Sequence, residues 1–190
     1  MEKTVKKAVV ILADGFEDVE AITPIDYLKR AGIEVTTVSI PGNKQHESLT
    51  VTSRWGGISL ITDTTLPESR DWDAVILPGG MPGAANLAAS KETSHLIKEM
   101  AAAGKLVCAI CASPVVVLSP LGLLNGKKFT CYPGMENKAP EGQWLDSNVV
   151  VDGNIITSRA AGTAGLFAIT IIEKLLDSAT AKKIAESVLL

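Results

Sequence analysis

Short, almost continuously apolar runs alternate with amphipathic helical patterns from one end of this chain to the other. The runs at residues 8–13, 73–77 and 106–110 would be buried on both faces if they formed strands. Strands of this kind belong to parallel sheets that are covered by helices on both sides. The alternation therefore predicts an α/β fold with a mostly parallel sheet and helices on both faces.

The first helix is predicted over residues 17–31 and ends at Gly32. Its buried stripe is expected to consist of the apolar residues at steps of three, Val19, Ile22, Ile25 and Leu28. The same criteria predict strands over 34–40, 129–132, 149–151 and 155–158, small edge strands between 41 and 66, and helices over 84–103 in two pieces, from 113 onward, over 163–176 and over 180–189.

Composition restricts the kind of protein. The 190 residues, 46% of them hydrophobic, suffice for one core, so a single domain over 1–190 is predicted. Eighteen basic and 21 acidic residues give a net charge of −3 without a long basic block, which argues against nucleic acid as a partner. No apolar run approaches the roughly 20 residues that span a bilayer, and none resembles a secretion signal. We therefore expect a cytoplasmic protein with no membrane partner.

The cysteines argue against stabilisation by disulfides or metal. Cys108, Cys111 and Cys131 are odd in number and lie in or beside apolar strand-like segments. His46 and His95 stand apart from any cysteine pair, so zinc-ligand spacing is absent and no structural metal is expected.

Four segments follow directly after predicted strands, at residues 14–20, 78–83, 111–114 and 159–163. In open α/β sheets, ligands bind beyond the carboxyl ends of the strands. We expect the first three segments to converge on one crevice and the fourth to border it.

Cys111 has the setting of a nucleophile at a tight strand-to-helix turn. Ala109 and Ser113, two positions to either side, are small enough for a strained turn to pass close to its neighbours. Ser113 suits a helix N-cap and Pro114 the first helical position, so free helix amides should face the sulfur and lower the pKa of the thiol. The alternative is a cysteine that only fills the core. Strand alternation favours that role for Cys108.

Two further features border the cysteine. Glu20 follows the predicted buried stripe and can turn inward, where a carboxyl beside a thiolate would be pushed toward its protonated form and carry a proton. A solvated glutamate is the alternative. Gly79 and Gly80 let backbone amides approach an anion, so the N–H groups of Gly80 and Ala112 would form an oxyanion hole above Cys111. The alternative there is a plain turn.

Six short motifs occur in order along the chain: DGFEDVE at 14–20, RAG at 30–32, LPGG at 77–80, AICASP at 109–114, TSR at 157–159 and GT at 162–163. Together they resemble the ThiJ/PfpI superfamily, and within it the DJ-1 branch, over residues 8 to about 176. The resemblance implies a flavodoxin-like three-layer sandwich with a nucleophile elbow, and a homodimer that uses the first helix. It also implies that Cys111 is an oxidisable nucleophile, that Glu20 is a protonated glutamate bonded to it, and that Gly80 and Ala112 supply amide donors.

The chain departs from this resemblance at two places. Tyr132 stands where many members carry a histidine before proline, so the usual cysteine–histidine dyad is missing and peptidase activity is not favoured. Ala160-Ala161 replaces a Gly-Pro pair at the pocket rim. By resemblance, the pocket consists of Gly79, Tyr132, Arg54 and Gly162.

Two functions are compatible with these residues, and neither requires a cofactor. In the first, Cys111 adds to a small 2-oxoaldehyde such as methylglyoxal, and Glu20 moves the proton that yields a 2-hydroxy acid, as in a glyoxalase without glutathione or a deglycase. In the second, peroxide oxidises Cys111, and the protein acts as a stress sensor or redox chaperone without turnover. A glutaminase would need a His-x-Glu motif after the cysteine, and a flavin-binding protein would need a phosphate loop after the first strand.

Overall fold

The structure is a computed structural model that describes residues 5–40, 49–55, 57–66 and 71–190. The strands of these residues are β1 (Lys7–Leu12), β2 (Glu34–Ser39), β3 (Thr50–Thr52), β4 (Ser59–Ile61), β5 (Thr64–Thr65), β6 (Ala74–Leu77), β7 (Leu106–Ile110), β8 (Lys128–Phe129), β9 (Gln143–Trp144), β10 (Val149–Asp152) and β11 (Ile155–Ser158).

A central sheet has the strand order β10-β11-β7-β6-β1-β2-β5. Its neighbours run parallel except β10, which pairs antiparallel with β11. Parallel strands align their carboxyl ends, so the loops after β1, β6, β7 and β11 meet at one edge of the sheet. The predicted mostly parallel sheet is confirmed.

Helices cover both faces of this sheet. They are α1 (Asp18–Arg30), α2 (Gly83–Ala89), α3 (Lys91–Ala102), α4 (Ala164–Leu175) and α5 (Ser178–Ser187), with a π-helical segment at Pro114–Leu118. One apolar core lies between the sheet and α1, α4 and α5, and a second lies between the sheet and α2, α3 and the π-helical segment. The three-layer α/β architecture is thus confirmed. No helix of the described residues is long and apolar enough to cross a membrane.

The buried face of α1 agrees with the predicted one only in its second half. Leu28 is buried and Ile25 packs against the core as predicted, but Val19 and Ile22 are 46% and 38% exposed. In the first half of the helix, the buried residues are instead Glu20, Ala21 and Pro24, so the contact with the core is made through small residues and the Glu20 carboxyl. Spacing alone cannot find a face on which a charged residue replaces an apolar one.

Two segments differ from their predicted form. The strand predicted over 129–132 is only Lys128–Phe129, because the Thr130 N–H donates to the Thr157 hydroxyl (2.9 Å) instead of continuing a ladder. Of the small strands predicted between 41 and 66, β3 and β4 form a separate antiparallel hairpin and β5 joins the edge of the central sheet. Residues 41–48 lie outside the described part of the chain.

The amino edge of the sheet is held by one carboxylate. Asp73 accepts hydrogen bonds from the Lys7 N–H (3.1 Å), the Lys105 ammonium (3.1 Å) and the Lys6 ammonium (3.4 Å). These contacts join the starts of β1, β6 and β7.

Candidate active site

Cys111 occupies a strained turn directly after β7. Its φ is 65°, a left-handed conformation that costs a residue with a Cβ about 1–2 kcal/mol. The turn is held in place because the Cys111 N–H donates to the Ser158 carbonyl (2.9 Å) and the Tyr132 N–H donates to the Cys111 carbonyl (2.8 Å). The predicted nucleophile elbow is therefore present, with a half-buried cysteine at the carboxyl edge of the sheet.

The segment after the elbow is not the regular helix that was predicted. It forms a π-helical turn at Pro114–Leu118 and a 3₁₀ turn at Ser119–Leu121. Pro120 lacks the N–H that an α-helix would need there, which prevents a regular helix from continuing. Ser113 precedes this segment but makes no cap. Instead, its buried hydroxyl donates to the Pro78 carbonyl (2.6 Å), which joins the elbow to the loop after β6.

Gly79 lies directly behind the cysteine and Glu20. A Cβ at Gly79 would be 2.7 Å from the Cys111 Cβ and 2.7 Å from Glu20 Oε2, so only glycine fits. Its N–H donates to Glu20 Oε2 (2.9 Å), and its carbonyl accepts from the Glu17 N–H (3.0 Å). This turn therefore positions the start of α1 against the elbow.

Gly80 continues the turn with a φ of 88°, which favours glycine. A Cβ here would be 2.5 Å from the Gly15 carbonyl oxygen. The N–H groups of Gly80 and Ala112 donate to the Cys111 sulfur and favour its anionic form. The structure thus places both predicted amide donors at the thiol.

Glu20 is 1% exposed and faces the cysteine from the first turn of α1. Desolvation by burial raises the pKa of its carboxyl from 4.5 to about 7, and the nearby charge of Glu17 adds to this effect. Hydrogen bonds with Cys111 and with the N–H groups of Gly79 and Ala161 act in the opposite direction but do not outweigh burial. At neutral pH the carboxyl therefore exchanges its proton readily.

The pKa of the Cys111 thiol differs from the sequence-based expectation. Burial of the sulfur and the neighbouring Glu20 carboxyl raise it to about 12, because the Gly80 and Ala112 amides offset these effects only in part. The prediction that helix amides lower the pKa of this thiol below its ordinary value is wrong. A thiolate and a carboxylate would repel each other, so ionisation of the sulfur is favoured when Glu20 carries a proton. The titrations of the two groups are therefore coupled.

The cysteine opens into a pocket of about 230 Å³. A larger cavity of about 410 Å³ lies between Lys6, Gly32 and Leu175 and is not lined by a cysteine. We locate the site at the smaller pocket because it contains Cys111. Its lining residues are Arg54, Gly80, Met81, Cys111, Ala112, Tyr132 and Met135.

Two residues expected in this pocket do not line it. Gly79 lies behind the cysteine, and Gly162 lies in a 3₁₀ turn at Ala161–Thr163 with open space around its Cα. Arg54 and Tyr132 do line it, and Tyr132 is 48% exposed. The fourth segment, which was expected only to border the crevice, contributes the Ala161 N–H to Glu20.

The family model for the DJ-1/PfpI family matches residues 6–174. The chain belongs to the DJ-1/PfpI family. It is 41% identical over 167 residues to DJ-1 homolog B of Arabidopsis thaliana, covering 87% of this chain but only 37% of that longer protein. It is 36% identical over 159 residues to a deglycase of Pyrococcus horikoshii, covering 80% of this chain and 89% of the relative.

Solved structures of the family have the same fold. The crystal structure of Drosophila melanogaster DJ-1beta has a TM-score of 0.91 at 36% identity and covers 98% of this chain and 99% of that one. A structure described as oxidized DJ-1 of Toxoplasma gondii has a TM-score of 0.90 at 35% identity and covers 97% of this chain and 98% of that one.

Within this DJ-1/PfpI family member, Ala161 was expected only at the pocket rim, and sequence reasoning missed its contact with Glu20. Only its backbone takes part, so its side chain carries no signal. Thr163 holds the turn around it, accepting from the Ala160 N–H (3.1 Å) and hydrogen-bonding the Ser158 hydroxyl (2.7 Å). In the sequence, the hydroxyl residues of the TSR and GT motifs, Ser158 and Thr163, were the signal that could have indicated an ordered turn at Ala161.

The other two cysteines have different surroundings. Cys108 is fully buried in β7, and burial raises the pKa of its thiol far above the ordinary value. Cys131 is also buried, with its pKa raised to about 11 by desolvation and by the charge of Glu136. Neither lines the pocket, so the structure offers Cys111 alone to a pocket ligand.

Proposed function

We propose that this protein is a stress-protective enzyme that converts small 2-oxoaldehydes, such as methylglyoxal, to 2-hydroxy acids without a cofactor. One observation carries the proposal: a carboxyl with a pKa raised to about 7 is hydrogen-bonded to a thiol that faces a pocket. A group that titrates near neutral pH can take up and return a proton within one turnover. The relative named as a deglycase supports the same class of chemistry.

The reaction balances with the substrate and one water molecule. Glu20 takes the thiol proton as the Cys111 sulfur forms a bond to the aldehyde carbon, and the carbonyl electron pair becomes an oxyanion beside the Gly80 and Ala112 amides. A proton then moves from the former aldehyde carbon to the neighbouring ketone carbon through an enediol, which oxidises the first carbon to a thioester and reduces the second to an alcohol. Water hydrolyses the thioester and releases the acid and the thiol.

This route requires no histidine. The described residues that line the pocket include none, and Tyr132 occupies the position where the family resemblance places one. Amide hydrolysis needs an acid for the leaving amine in addition to a base for the thiol. We therefore do not propose a peptidase.

The test is lactate formation from methylglyoxal by the purified protein. We expect Cys111→Ser to abolish it, because an alcohol in place of the thiol is a far weaker nucleophile at neutral pH. Cys131→Ser is the matched control and should retain the wild-type rate. Lactate formation by Cys111→Ser at the wild-type rate would overturn the mechanism.

A second candidate function is oxidation of Cys111 without turnover. The oxidized state of the Toxoplasma gondii relative favours it, and a protonated Glu20 with two amide donors would stabilise a sulfinate. Mild peroxide treatment followed by peptide mass spectrometry tests it. We expect oxygen on Cys111 before Cys108 and Cys131, and equal modification of the three would reject a tuned site.

We also propose a homodimer through α1. Val19 and Ile22 leave an apolar strip on the outer face of this helix, which a second copy would cover. Sedimentation at micromolar concentration should give a dimer, and Ile22→Glu should give a monomer. A wild-type monomer under these conditions would exclude the proposal.

A further inference from the structure

Three large side chains border the pocket above Cys111 with apolar or aromatic surface. Met81, Tyr132 and Met135 line the pocket together with the cysteine, and we call these three residues the apolar rim. Met81 is 44% exposed and Tyr132 is 48% exposed. Exposed apolar surface in a pocket is typical of a ligand-binding site, because a ligand that covers this surface removes it from water.

The backbone fixes the apolar rim to the reactive turn. Met81 directly follows Gly80, whose N–H donates to the Cys111 sulfur. The Tyr132 N–H donates to the Cys111 carbonyl (2.8 Å), and the Met135 N–H donates to the Tyr132 carbonyl (3.1 Å). The rim and the sulfur therefore belong to one hydrogen-bonded framework, so the rim keeps its place beside the reacting atom.

The side chains of the rim favour one kind of ligand. A methionine side chain is unbranched and polarizable, so it adapts to the shape of a ligand and makes favourable contacts with aromatic rings. Tyr132 adds an aromatic face, against which a second ring packs in offset or edge-on geometry. Methionine and tyrosine together favour a ligand that carries a ring or a large alkyl group.

The volume of the pocket exceeds what the smallest 2-oxoaldehydes need. It is about 230 Å³, or roughly eight water molecules at about 30 Å³ each. Methylglyoxal has five non-hydrogen atoms and would leave part of this space to water. Phenylglyoxal has ten, and bonded atoms take less room than separate water molecules. Its ring therefore has room to lie on the rim while its aldehyde carbon is bonded to the sulfur.

We propose that Met81 and Met135 are specificity-determining residues that select 2-oxoaldehydes with an aromatic or large apolar arm over methylglyoxal. The reaction itself rests on the proposed function. With phenylglyoxal, the sulfur bonds to the aldehyde carbon, and a proton moves from this carbon to the neighbouring one, which oxidises the first carbon to a thioester and reduces the second to an alcohol. Water hydrolyses the thioester to mandelate and the thiol, so the aldehyde and one water molecule supply every atom of the product.

The preference for a ring can be measured without turnover by alkylating Cys111. Iodoacetamide and its N-phenyl derivative, iodoacetanilide, react alike: the sulfur bonds to the methylene carbon, and iodide leaves. Peptide mass spectrometry follows the rate at Cys111 separately from the two other cysteines. The iodoacetanilide-to-iodoacetamide rate ratio in the folded protein, divided by the same ratio in urea-unfolded protein, gives a corrected ratio that reports the preference for the ring.

We expect a corrected ratio of about five- to tenfold in the wild type, the effect of removing part of a phenyl ring from water. Met81→Gln and Met135→Gln should each lower it about two- to threefold, and the double variant should bring it close to one. Glutamine keeps the length of the side chain but replaces the thioether by an amide that prefers water. Met81→Leu stays apolar and should retain most of the preference.

Two controls keep this experiment decisive. The rate with iodoacetamide should be the same in all variants, since that reagent has no ring, and an equal rate shows that the site is intact. Val151→Thr replaces a 37% exposed apolar side chain on the edge strand β10 and should leave the corrected ratio unchanged. A corrected ratio near one in the wild type, an undiminished ratio in the double variant, or an equal decrease in Val151→Thr would overturn the proposal.

Initial-rate kinetics then separate this proposal from the proposed function. For the wild type, kcat/KM should be higher for phenylglyoxal than for methylglyoxal, and the double variant should lose this preference mainly through KM. Turnover of both aldehydes with the same ratio in wild type and double variant would overturn the role of the two methionines while leaving the proposed function intact. Turnover of neither aldehyde, together with a corrected alkylation ratio that depends on Met81 and Met135, would refute the proposed reaction but support the selection of apolar arms.

Discussion

The two edges of the central sheet treat a carboxyl group in opposite ways. At the carboxyl edge, desolvation raises the pKa of Glu20 to about 7. At the amino edge, burial also raises the pKa of Asp73, but the Lys7 N–H and the Lys105 and Lys6 ammonium groups outweigh it, so the pKa of Asp73 lies below its ordinary value.

The difference comes from the partners of each group as much as from burial. Asp73 has two cations that neutralise it and serves to hold strands together. Among the residues that the structure describes, the hydrogen-bond partners of Glu20 are N–H donors and a thiol, with no cation, so the ionised carboxylate stays unfavourable and its proton exchangeable. The strained Cys111 turn lies at the same edge as Glu20. Strain and an unneutralised carboxyl thus occur together where chemistry is proposed.

Replacing the carboxyl of Glu20 or of Asp73 by an amide should give the largest difference in activity between the two edges. Glu20→Gln should lower kcat/KM for methylglyoxal about a hundredfold or more, because an amide cannot take up the thiol proton. Asp73→Asn should leave kcat/KM within about twofold, since it removes no group near the reacting atoms. Steady-state lactate assays on the two variants measure this. Similar losses in both would mean that the edges are not functionally distinct.

The dependence of stability on pH should have opposite signs at the two edges. The folded state raises the pKa of Glu20 from 4.5 to about 7, so its favourable contribution is fully present below pH 4.5 and is lost as the pH rises through 7, about 3 kcal/mol in all. Asp73 has a depressed pKa, so its contribution is present above the unfolded value of 3.8 and is lost as the pH falls through the folded pKa.

Urea unfolding of wild type, Glu20→Gln and Asp73→Asn at a series of pH values measures these signs. Relative to wild type, Glu20→Gln should become more stable as the pH rises from 4.5 to 7. Asp73→Asn should become relatively more stable only in acid, below 3.8. A Glu20→Gln difference that does not change with pH would contradict the raised pKa.

The hydrogen bond between the elbow and the loop after β6 should contribute less to the free energy of unfolding than the ionisation of Glu20 does. Ser113→Ala should lower the free energy of unfolding by about 1–2 kcal/mol, because it leaves the buried Pro78 carbonyl without its donor. Ser187→Ala removes a similar bond, to the Ile184 carbonyl (2.7 Å) near the end of α5, and should cost less than about 0.5 kcal/mol. Equal costs at both positions would show that the elbow gains nothing special from this bond.

Relief of the backbone strain at Cys111 should change the stability of the protein least. Cys111→Gly should be more stable than Cys111→Ala by up to about 1 kcal/mol, since glycine accepts a φ of 65° but loses more entropy on folding. At Cys131, where φ is not positive, glycine should instead be less stable than alanine. Thermal unfolding of the four variants decides this, and the same order at both cysteines would argue against strain at the elbow.

Most of the fold could be predicted because it depends on local patterns. Continuous apolar runs identified β1, β6 and β7, and Gly32 marked the end of the first helix. The exposed face of α1 was misplaced because Val19 and Ile22 look like core residues by spacing alone. The role of Ser113 was misassigned because the partner of its hydroxyl, Pro78, comes from a distant part of the chain.

The sequence by itself determined the order of strands and helices and the meeting of four loops at one edge, because hydrophobic period and parallel pairing depend on residue type and chain order. It also singled out Cys111 and Glu20 as a candidate pair. Only the tertiary structure decided that this pair is buried and hydrogen-bonded, that burial raises both pKa values, and that Ala161 contributes an amide. Those properties depend on burial and on distances between residues far apart in the chain, which no local pattern contains.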